Sequence, residues 1–473
     1  DRTLREHLAQ LLADNEDFAP EDALQLAAWN PYDQNAVCPF FDPEWMFNLT
    51  SGFDIVIGNP PYIQLQNNGG ELAKIYQGYG FKGFARTGDI YCLFYERGYQ
   101  LLREGGHLCY ITSNKWMRAG YGEKIRGFLA HNTNPILLVD FAGIKVFEGA
   151  TVDTNILLFS KEKNEGKTLS VSLTKDVQLG RGELCQYVQQ HATPSAFTSS
   201  ESWVILLPIE QSIKRKIEAV GKPLKDWDIQ IYRGVLTGCN EAFIIDEAKR
   251  AEILSNCQNE DERKRTEAII RPILRGRDIR RYDYVDSGKY LINTHNGVKE
   301  KGIPPIDVTD YPAIKDHLDS FGDAVMLRSD QGDTPYNLRN CAYLEEFEKP
   351  KIIYPNMTKY MPFFYDELGM YTNQKCFILT GRHLHYLIAF LNSSIFKICY
   401  RESFPELQGG TRELSKIFFE NILIPVLPEI QMHDFENLVD DLIQGKDYSD
   451  TRLEEALRLT PEEKDYAKSF IIQ

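Results

Sequence analysis

Hydrophobic positions in the first third of the chain follow strand-like and helix-like spacings in turn. The run "FDIVIG", which starts at Phe53, is short, apolar and bounded by glycines, so it predicts a strand buried on both faces. After Asp89, "IYCLFYERGYQLLRE" has helical spacing, with Asp89 as the predicted N-cap and Gly105–Gly106 as the predicted stop. Further strands are predicted at "HLCYITS", "PILLVDFAG" and "TNILLFSKE", and a helix at "GYGEKIRGFLAHN".

This alternation of strands with helices predicts an α/β fold with a parallel or mostly parallel sheet. The last two strands lack a helix between them, so we expect them to form an antiparallel pair at the sheet edge. The pattern divides the chain into five segments. They are an upstream helix and irregular stretch (1–52), the sheet region (53–165), a polar connection (166–202), a region of short strands and helices (203–428), and an acidic helical tail (429–473).

Composition constrains the fold little, but it excludes several classes of protein. The 473 residues are 43% hydrophobic and 26% charged, which is typical of a globular protein with two or three domains. No apolar run is long enough to span a membrane, and no signal segment opens the sequence. The nine cysteines and nine histidines form no metal-binding spacing. These features predict a cytoplasmic protein with no metal and no membrane contact. Because the first residue is Asp1, we interpret the chain as a piece of a longer protein.

Charge is distributed unevenly along the chain. The net charge is −15, which alone argues against a polyanionic partner. Residues 263–281, "RKRTEAIIRPILRGRDIRR", nevertheless hold eight Arg or Lys residues and two acids. One basic face on an acidic protein is sufficient for binding nucleic acid.

The strand at Phe53 ends in an unusual sequence, Asn59-Pro60-Pro61-Tyr62. Ligands of open α/β sheets bind beyond the carboxyl ends of the strands. The prolines keep this backbone out of a helix, so the Asn59 side-chain oxygen and the Pro60 carbonyl can accept the two hydrogens of one NH₂ group. Tyr62 adds a flat face for stacking on a planar ring. Two acceptors out of the ring plane would free the lone pair of an aromatic amine for attack on a sulfonium methyl group.

This segment resembles the N-P-P-Y signature of adenine-N6 DNA methyltransferases that use S-adenosylmethionine. Asp89 with Tyr91, the segment "LLREGGHLCYITSNKW" and the loop "KVFEGATVDTNILLF" are also similar to that family. The resemblance implies that 53–165 form the C-terminal half of a Rossmann-like catalytic domain. It assigns catalysis to Asn59, Pro60, Pro61 and Tyr62, and stacking on a flipped base to Tyr62 and Phe147.

The second half resembles the target recognition domain of type IIG restriction–modification enzymes, through segments such as "IQIYRGVLTGCNEAFIID", "RPILRGRDIRRY" and "EKPKIIYPNM". The resemblance implies an α+β domain over 203–428 that binds double-stranded DNA. Arginine can contact phosphate or guanine, and asparagine can bind an adenine edge. The predicted DNA-binding residues are Arg233, Asn240, Arg275, Arg277, Arg280 and Arg281. Solvated or acid-paired arginines, for example with Asp278 or Asp283, are the alternative.

One part of the family pattern was not found. Its Gly-rich cofactor loop precedes the N-P-P-Y segment, yet residues 1–52 contain no glycine before Gly52. We therefore leave the cofactor-binding residues unassigned, and expect upstream cofactor-binding and nuclease segments in the same protein. Two other interpretations remain open: a protein-glutamine methyltransferase, which shares the N-P-P-Y signature, and a non-catalytic DNA-recognition fragment.

Overall fold

The structure is a computed structural model. It describes residues 2–14, 20–28, 43–141, 144, 146–147, 152–173, 180, 182–359, 361–404, 411–435, 438 and 449–469. The contacts within the chain define two units. The first comprises residues 1–116 and 121–201, and the second comprises residues 117–120 and 202–473.

A six-stranded sheet forms the centre of the first unit. Its strands are β1 (Phe53–Gly58), β2 (Leu102–Ser113), β3 (Asn134–Asp140), β4 (Thr154–Ser160), β5 (Thr168–Ser172) and β6 (Thr193–Ser195), in the order β1-β2-β4-β3-β5-β6. Its helices are α1 (Arg2–Ala13), α2 (Pro20–Ala28), α3 (Pro43–Phe47), α4 (Asn67–Gln77), α5 (Ile90–Leu101), α6 (Glu123–Asn132) and α7 (Glu183–His191).

The sheet is mixed, so the prediction of a mostly parallel sheet is wrong. Only β1 with β2 and β3 with β5 run parallel, while the other neighbouring pairs are antiparallel. The predicted antiparallel pairing of β3 with β4 is confirmed. However, β4 lies between β2 and β3 rather than at an edge, because it forms ladders with both.

Strand β1 differs most from its prediction. It lies at one end of the strand order, and within the described residues only β2 pairs with it. The side chains of Ile55 and Ile57 are 66% and 78% exposed, so β1 is not buried on both faces. The glycine stop is also wrong, because α5 ends at Leu101 and Gly105–Gly106 lie within β2.

Residues 166–202, predicted as a connection, instead contribute β5, α7 and β6 to the first unit. Their polar character is misleading because the buried hydroxyl groups find partners. The Thr168 hydroxyl donates to the Pro135 carbonyl at 2.9 Å, and the Ser170 and Ser195 hydroxyl groups lie 2.6 Å apart. A polar sequence is therefore compatible with a place in this sheet.

The second unit contains two four-stranded sheets and two two-stranded ladders, ordered β15-β10-β11-β9, β14-β12-β16-β8, β13-β17 and β18-β7. The strands are β7 (Gly221–Pro223), β8 (Ile229–Arg233), β9 (Ile244–Asp246), β10 (Ile270–Leu274), β11 (Lys289–Ile292), β12 (Lys351–Pro355), β13 (Met357–Thr358), β14 (Phe364–Asp366), β15 (Tyr371–Thr372), β16 (Cys376–Gly381), β17 (Arg412–Glu413) and β18 (Leu423–Pro425).

The helices of this unit contribute side chains to two hydrophobic clusters. They are α8 (Pro208–Val220), α9 (Asn240–Phe243), α10 (Glu247–Ser255), α11 (Glu260–Ile269), α12 (Pro312–Asp319), α13 (Asp323–Met326), α14 (Leu384–Leu391), α15 (Ser394–Ser403), α16 (Lys416–Phe419), α17 (Glu429–His433), α18 (Ser449–Ala456) and α19 (Pro461–Ser469). Leu453 and Ala467 are fully buried, so the described part of the acidic tail belongs to this core. No helix in the described part of the chain is long and apolar enough to cross a membrane.

Candidate functional site

The segment Asn59–Tyr62 follows β1 directly at its carboxyl end. Because β1 runs parallel to β2, with Gly58 opposite Tyr110, the segment lies at the same edge of the sheet as the end of β2. Asn59 and Pro61 are exposed, Pro60 is buried and Tyr62 is half-buried. The Tyr62 hydroxyl group donates to the Asn59 side-chain oxygen at 3.2 Å. The structure thus brings two of the predicted catalytic side chains into contact.

Neighbouring aromatic residues fix the position of Tyr62. Its ring packs edge-on against Tyr91 of α5, with ring centroids 5.9 Å apart and an interplanar angle of 83°. The hydroxyl groups of Tyr91 and Tyr121 lie 2.7 Å apart, which in turn holds Tyr91. Burial raises the pKa of Tyr62, so its hydroxyl group remains a donor at neutral pH.

Asp89 connects this segment to α5. It occupies the predicted N-cap position, and its carboxylate accepts the Ile63 backbone N–H at 2.8 Å. The Ile90 N–H returns a bond to the Ile63 carbonyl at 2.9 Å. Burial raises the pKa of the Asp89 carboxyl group, while the N–H groups that it accepts act in the opposite direction. Asp89 therefore acts as a positioning residue for the chain that leaves Tyr62.

We expect Asp89→Ala to destabilise the first unit by about 0.5–1.5 kcal/mol, because the N–H of the exposed residue Ile63 loses its protein acceptor. The methyl transfer that the sequence resemblance implies should fall, because the Tyr62 backbone loses this support. Asp89→Asn keeps an oxygen acceptor and should retain most of both properties. Urea unfolding and initial methylation rates measure the two effects. Equal losses in the alanine and asparagine variants would contradict a role through this hydrogen bond.

A buried polar network lies at the end of β2, and no sequence pattern predicted it. The Thr112 hydroxyl lies 2.9 Å from the Tyr95 hydroxyl and 3.0 Å from the Asn155 side-chain oxygen. The Trp116 indole N–H donates to the same Asn155 oxygen at 3.2 Å. These residues are distant in sequence, and the strand pairing of β2 with β4 brings them together.

Phe147, the predicted second stacking residue, lies in the loop between β3 and β4 and is half-buried. Many neighbours of Phe147 in that loop fall outside the described residues. Within the described residues, no ring contact joins Phe147 to Tyr62. Stacking by Phe147 therefore stays a prediction.

In the second unit, a cleft of about 1110 Å³ carries most of the predicted DNA-binding residues. It is larger than most small-molecule sites. Eight of its 17 lining residues are Arg or Lys, and no Asp or Glu is among the described residues that line it. The predicted residues Arg275, Arg277, Arg280 and Arg281 all line this cleft. In a chain with a net charge of −15, such a local excess of positive charge suits a polyanion.

The other two predicted DNA-binding residues are not among those that line the cleft. Arg233 ends β8 and donates from Nε to the Gln374 carbonyl at 3.1 Å. The Asn240 side-chain oxygen accepts the Thr237 hydroxyl at 2.7 Å, at the start of α9. Both side chains therefore have hydrogen-bond partners within the protein. Among the described residues, no cluster of three His, Cys, Asp or Glu side chains could hold a metal ion.

Comparison with known proteins identifies a relative for each unit. Residues 4–147 match the Eco57I restriction-modification methylase family, and residues 271–425 match the TaqI-like C-terminal specificity domain. The type II methyltransferase M.BstVI of Geobacillus stearothermophilus is 25% identical over 455 residues, which cover 90% of this chain and 77% of that protein. The type II restriction enzyme and methyltransferase RM.Eco57I of Escherichia coli is 28% identical over 43% of this chain and 20% of its own length.

A solved structure supports the fold similarity. The type IIL restriction-modification enzyme MmeI, in complex with DNA, matches with a TM-score of 0.51 and 12% identity, over 87% of this chain and 53% of that chain. This chain thus spans about half the length of that enzyme and a fifth of RM.Eco57I. It carries an Eco57I-like methylase region and a TaqI-like specificity region, and its relatives are type II restriction–modification methyltransferases.

Proposed function

We propose that this chain is the methylating and DNA-reading part of a restriction–modification protein. The reaction is transfer of a methyl group from S-adenosylmethionine to the N6 amino group of an adenine flipped out of duplex DNA. The observation that carries the proposal is the Asn59–Tyr62 segment at the carboxyl end of β1, in a region that matches the methylase family. The basic cleft of the second unit supports DNA as the partner.

The chain's own residues would hold and orient the amine. The Asn59 side-chain oxygen and the Pro60 carbonyl accept its two hydrogens, and Pro61 keeps the backbone in the shape that exposes both acceptors. Tyr62 and Phe147 stack on the adenine ring. The Tyr62 hydroxyl donates to the Asn59 oxygen at 3.2 Å, which leaves the second lone pair of that oxygen for the incoming amine.

The described residues do not fit a complete cofactor site. A cofactor beside Asn59 needs enclosing walls, yet the flanking strand β1 lies at the end of the strand order with Ile55 and Ile57 exposed. The methylase family match implies S-adenosylmethionine as the methyl donor. The residues that bind this donor are unassigned, so the roles above concern the amine alone.

We further propose a division of labour between the two units. The first unit, residues 1–116 and 121–201, carries methyl transfer, and the second unit, residues 117–120 and 202–473, reads DNA. In this division the predicted connection (166–202), apart from Ser202, joins the catalytic unit, and the predicted tail (429–473) joins the recognition unit.

Methyl transfer from labelled S-adenosylmethionine to duplex DNA by the full-length protein tests this function. We expect label on adenine N6 at one recurrent sequence, mapped by sequencing. A duplex premethylated at that adenine is the matched control and should accept no further label. Label on cytosine, or on a glutamine side chain of a protein substrate, would contradict the proposal.

A further inference from the structure

The basic cleft contains two kinds of cation. Four of its eight positive side chains are held by protein partners. Arg275 forms a two-pronged bond with the buried carboxylate of Asp278, at 2.8 and 3.0 Å. The Lys468 ammonium group lies 2.9 Å from the Glu454 carboxylate. Their charges are neutralised locally, which limits what they can offer to a ligand.

The other two held cations bond to backbone carbonyls. Arg280 donates to the carbonyls of Arg277 and Ile279 at 2.7 and 2.9 Å, and Arg281 donates to the Asn392 carbonyl at 3.1 Å. These bonds fix the guanidinium groups against the wall of the cleft. We therefore assign Arg275, Arg280 and Arg281 to shaping the cleft rather than to reading bases.

The remaining four cations are Arg277, Lys359, Lys375 and Lys397. Within the described part of the chain, none of these four side chains forms an ion pair or a side-chain hydrogen bond. Arg277, Lys359 and Lys375 are exposed, and Lys397 is half-buried. They come from four separate places: the turn after β10, the end of β13, the start of β16 and helix α15. They converge on one cleft, and no acid is among the described residues that line it, so their charge is available for a bound polyanion.

One uncharged polar side chain in the same cleft, that of Asn356, can also form hydrogen bonds with a ligand. Asn356 lies between β12 and β13, and its backbone is held on both sides. Its N–H donates to the Lys375 carbonyl at 2.7 Å, and its carbonyl accepts the Leu414 N–H at 2.7 Å. No hydrogen bond to the Asn356 side-chain amide occurs among the described residues. A free amide on a fixed backbone can present one donor and one acceptor in a defined direction.

We infer that Asn356 and Arg277 read base edges of duplex DNA in this cleft, whereas Lys359, Lys375 and Lys397 hold its phosphates. The inference rests on the proposed function for the identity of the ligand. An asparagine amide matches the N6 and N7 pattern of adenine, and a free guanidinium matches the O6 and N7 pattern of guanine. Lysine is a compact charge without directional preference, which suits phosphate contacts that carry no sequence information.

The phosphate contacts are tested by the salt dependence of binding. The affinity of the full-length protein for a mixed-sequence duplex is measured by fluorescence anisotropy over a series of NaCl concentrations. Lys375→Gln is expected to reduce the slope of log K against log salt by about 0.9, and the triple variant with Lys359→Gln and Lys397→Gln by about 2.7. Lys264→Gln, at an exposed position on α11 outside the cleft, is the matched control and should leave the slope unchanged. An unchanged slope in the triple variant overturns the phosphate assignment.

Base reading is tested by selecting bound duplexes from a randomised library. Asn356→Ala should lower discrimination at one base-pair position by about ten-fold or more, and Arg277→Gln should do so at another. Asn356→Ala should also leave the salt slope at its wild-type value, because no charge is lost. An unchanged sequence preference in both variants, or no preference in the wild-type protein, overturns this part.

These experiments separate the inference from the proposed function, because neither of them requires methyl transfer. If the wild-type protein methylates no adenine, but the cleft variants lose salt dependence and sequence preference as expected, the proposed function is refuted and the DNA-binding role of the cleft stands. If the protein methylates adenine, but the cleft variants bind DNA like the wild-type protein, the role of the cleft is refuted and the proposed function stands. Thermal melting of each variant shows whether it remains folded.

Discussion

Replacing Asn59 by alanine in the full-length protein is expected to slow methyl transfer to DNA by at least about 100-fold, as removal of one preorganised transition-state partner does elsewhere. The Asn59 oxygen is one of the two acceptors proposed for the adenine amino group. Without it, nothing favours the tetrahedral nitrogen whose lone pair attacks. DNA binding should remain, because the cleft with the unpaired cations lies in the second unit. Initial rates with labelled cofactor and anisotropy with duplex DNA measure the two properties.

Two further variants make this test specific. Asn59→Asp keeps an oxygen acceptor, so it should retain more activity than Asn59→Ala. Asn67→Ala removes another exposed asparagine a short distance along the chain, at the start of α4, and should behave like the wild-type protein. Wild-type methylation rates in Asn59→Ala would refute the assignment of the amine site.

The Asn59–Tyr62 segment at the end of β1 could be located from sequence because its information is local. Asn59 through Tyr62 are consecutive, and the apolar run before them marks a strand end. Asp89 could likewise be placed at the start of α5, since N-cap preferences act over a few residues. Its bond to the Ile63 N–H spans 26 residues, however, and no local pattern indicates such a contact.

The environment of β1 could not be predicted in the same way. A continuous apolar run indicates side chains that favour burial, but it does not specify what covers them. In the structure, Ile55 and Ile57 are exposed although their sequence is that of an interior strand. The order of the strands in the sheet could not be predicted for a similar reason. The insertion of β4 between β2 and β3 depends on pairing with both, which the periodicity of β4 alone does not encode.

The basic cleft contains both residues that were predicted from the sequence and residues that were not. Its arginines are clustered in sequence and are among the residues predicted from it, whereas Lys359, Lys375, Lys397 and Asn356, which line the same cleft, are dispersed and are not. The arginine cluster in the sequence also mixes ion-paired and unpaired side chains, as judged from the described residues. Arg275 and Asp278 are three residues apart and form an ion pair, while Arg277 between them forms none with any residue that the structure describes. Charge counts along the chain cannot separate a neutralised cation from an available one.

The second large effect is expected on stability. Lys351 opens β12 and Asp366 ends β14, where the two residues face each other across an antiparallel ladder. Both side chains are fully buried, and the Lys351 ammonium group bonds the Asp366 carboxylate and the Phe347 carbonyl. The carboxylate also accepts the Leu368 and Met370 N–H groups at 3.0 and 2.9 Å. Burial lowers the pKa of Lys351, and the charge of Asp366 acts against that shift.

Lys351→Ala should therefore reduce the free energy of unfolding of the second unit by about 3–5 kcal/mol, because it leaves a buried carboxylate without its counter-ion. The double variant Lys351→Met with Asp366→Asn removes both charges and keeps an oxygen acceptor for one of the two N–H groups, so it should be destabilised less than Lys351→Ala. Urea unfolding monitored by tryptophan fluorescence measures both variants. A loss below about 1 kcal/mol for Lys351→Ala would place the pair in the class of weak surface ion pairs. Because β12 runs directly into Asn356, loss of this pair should also loosen the position from which Asn356 is proposed to read DNA.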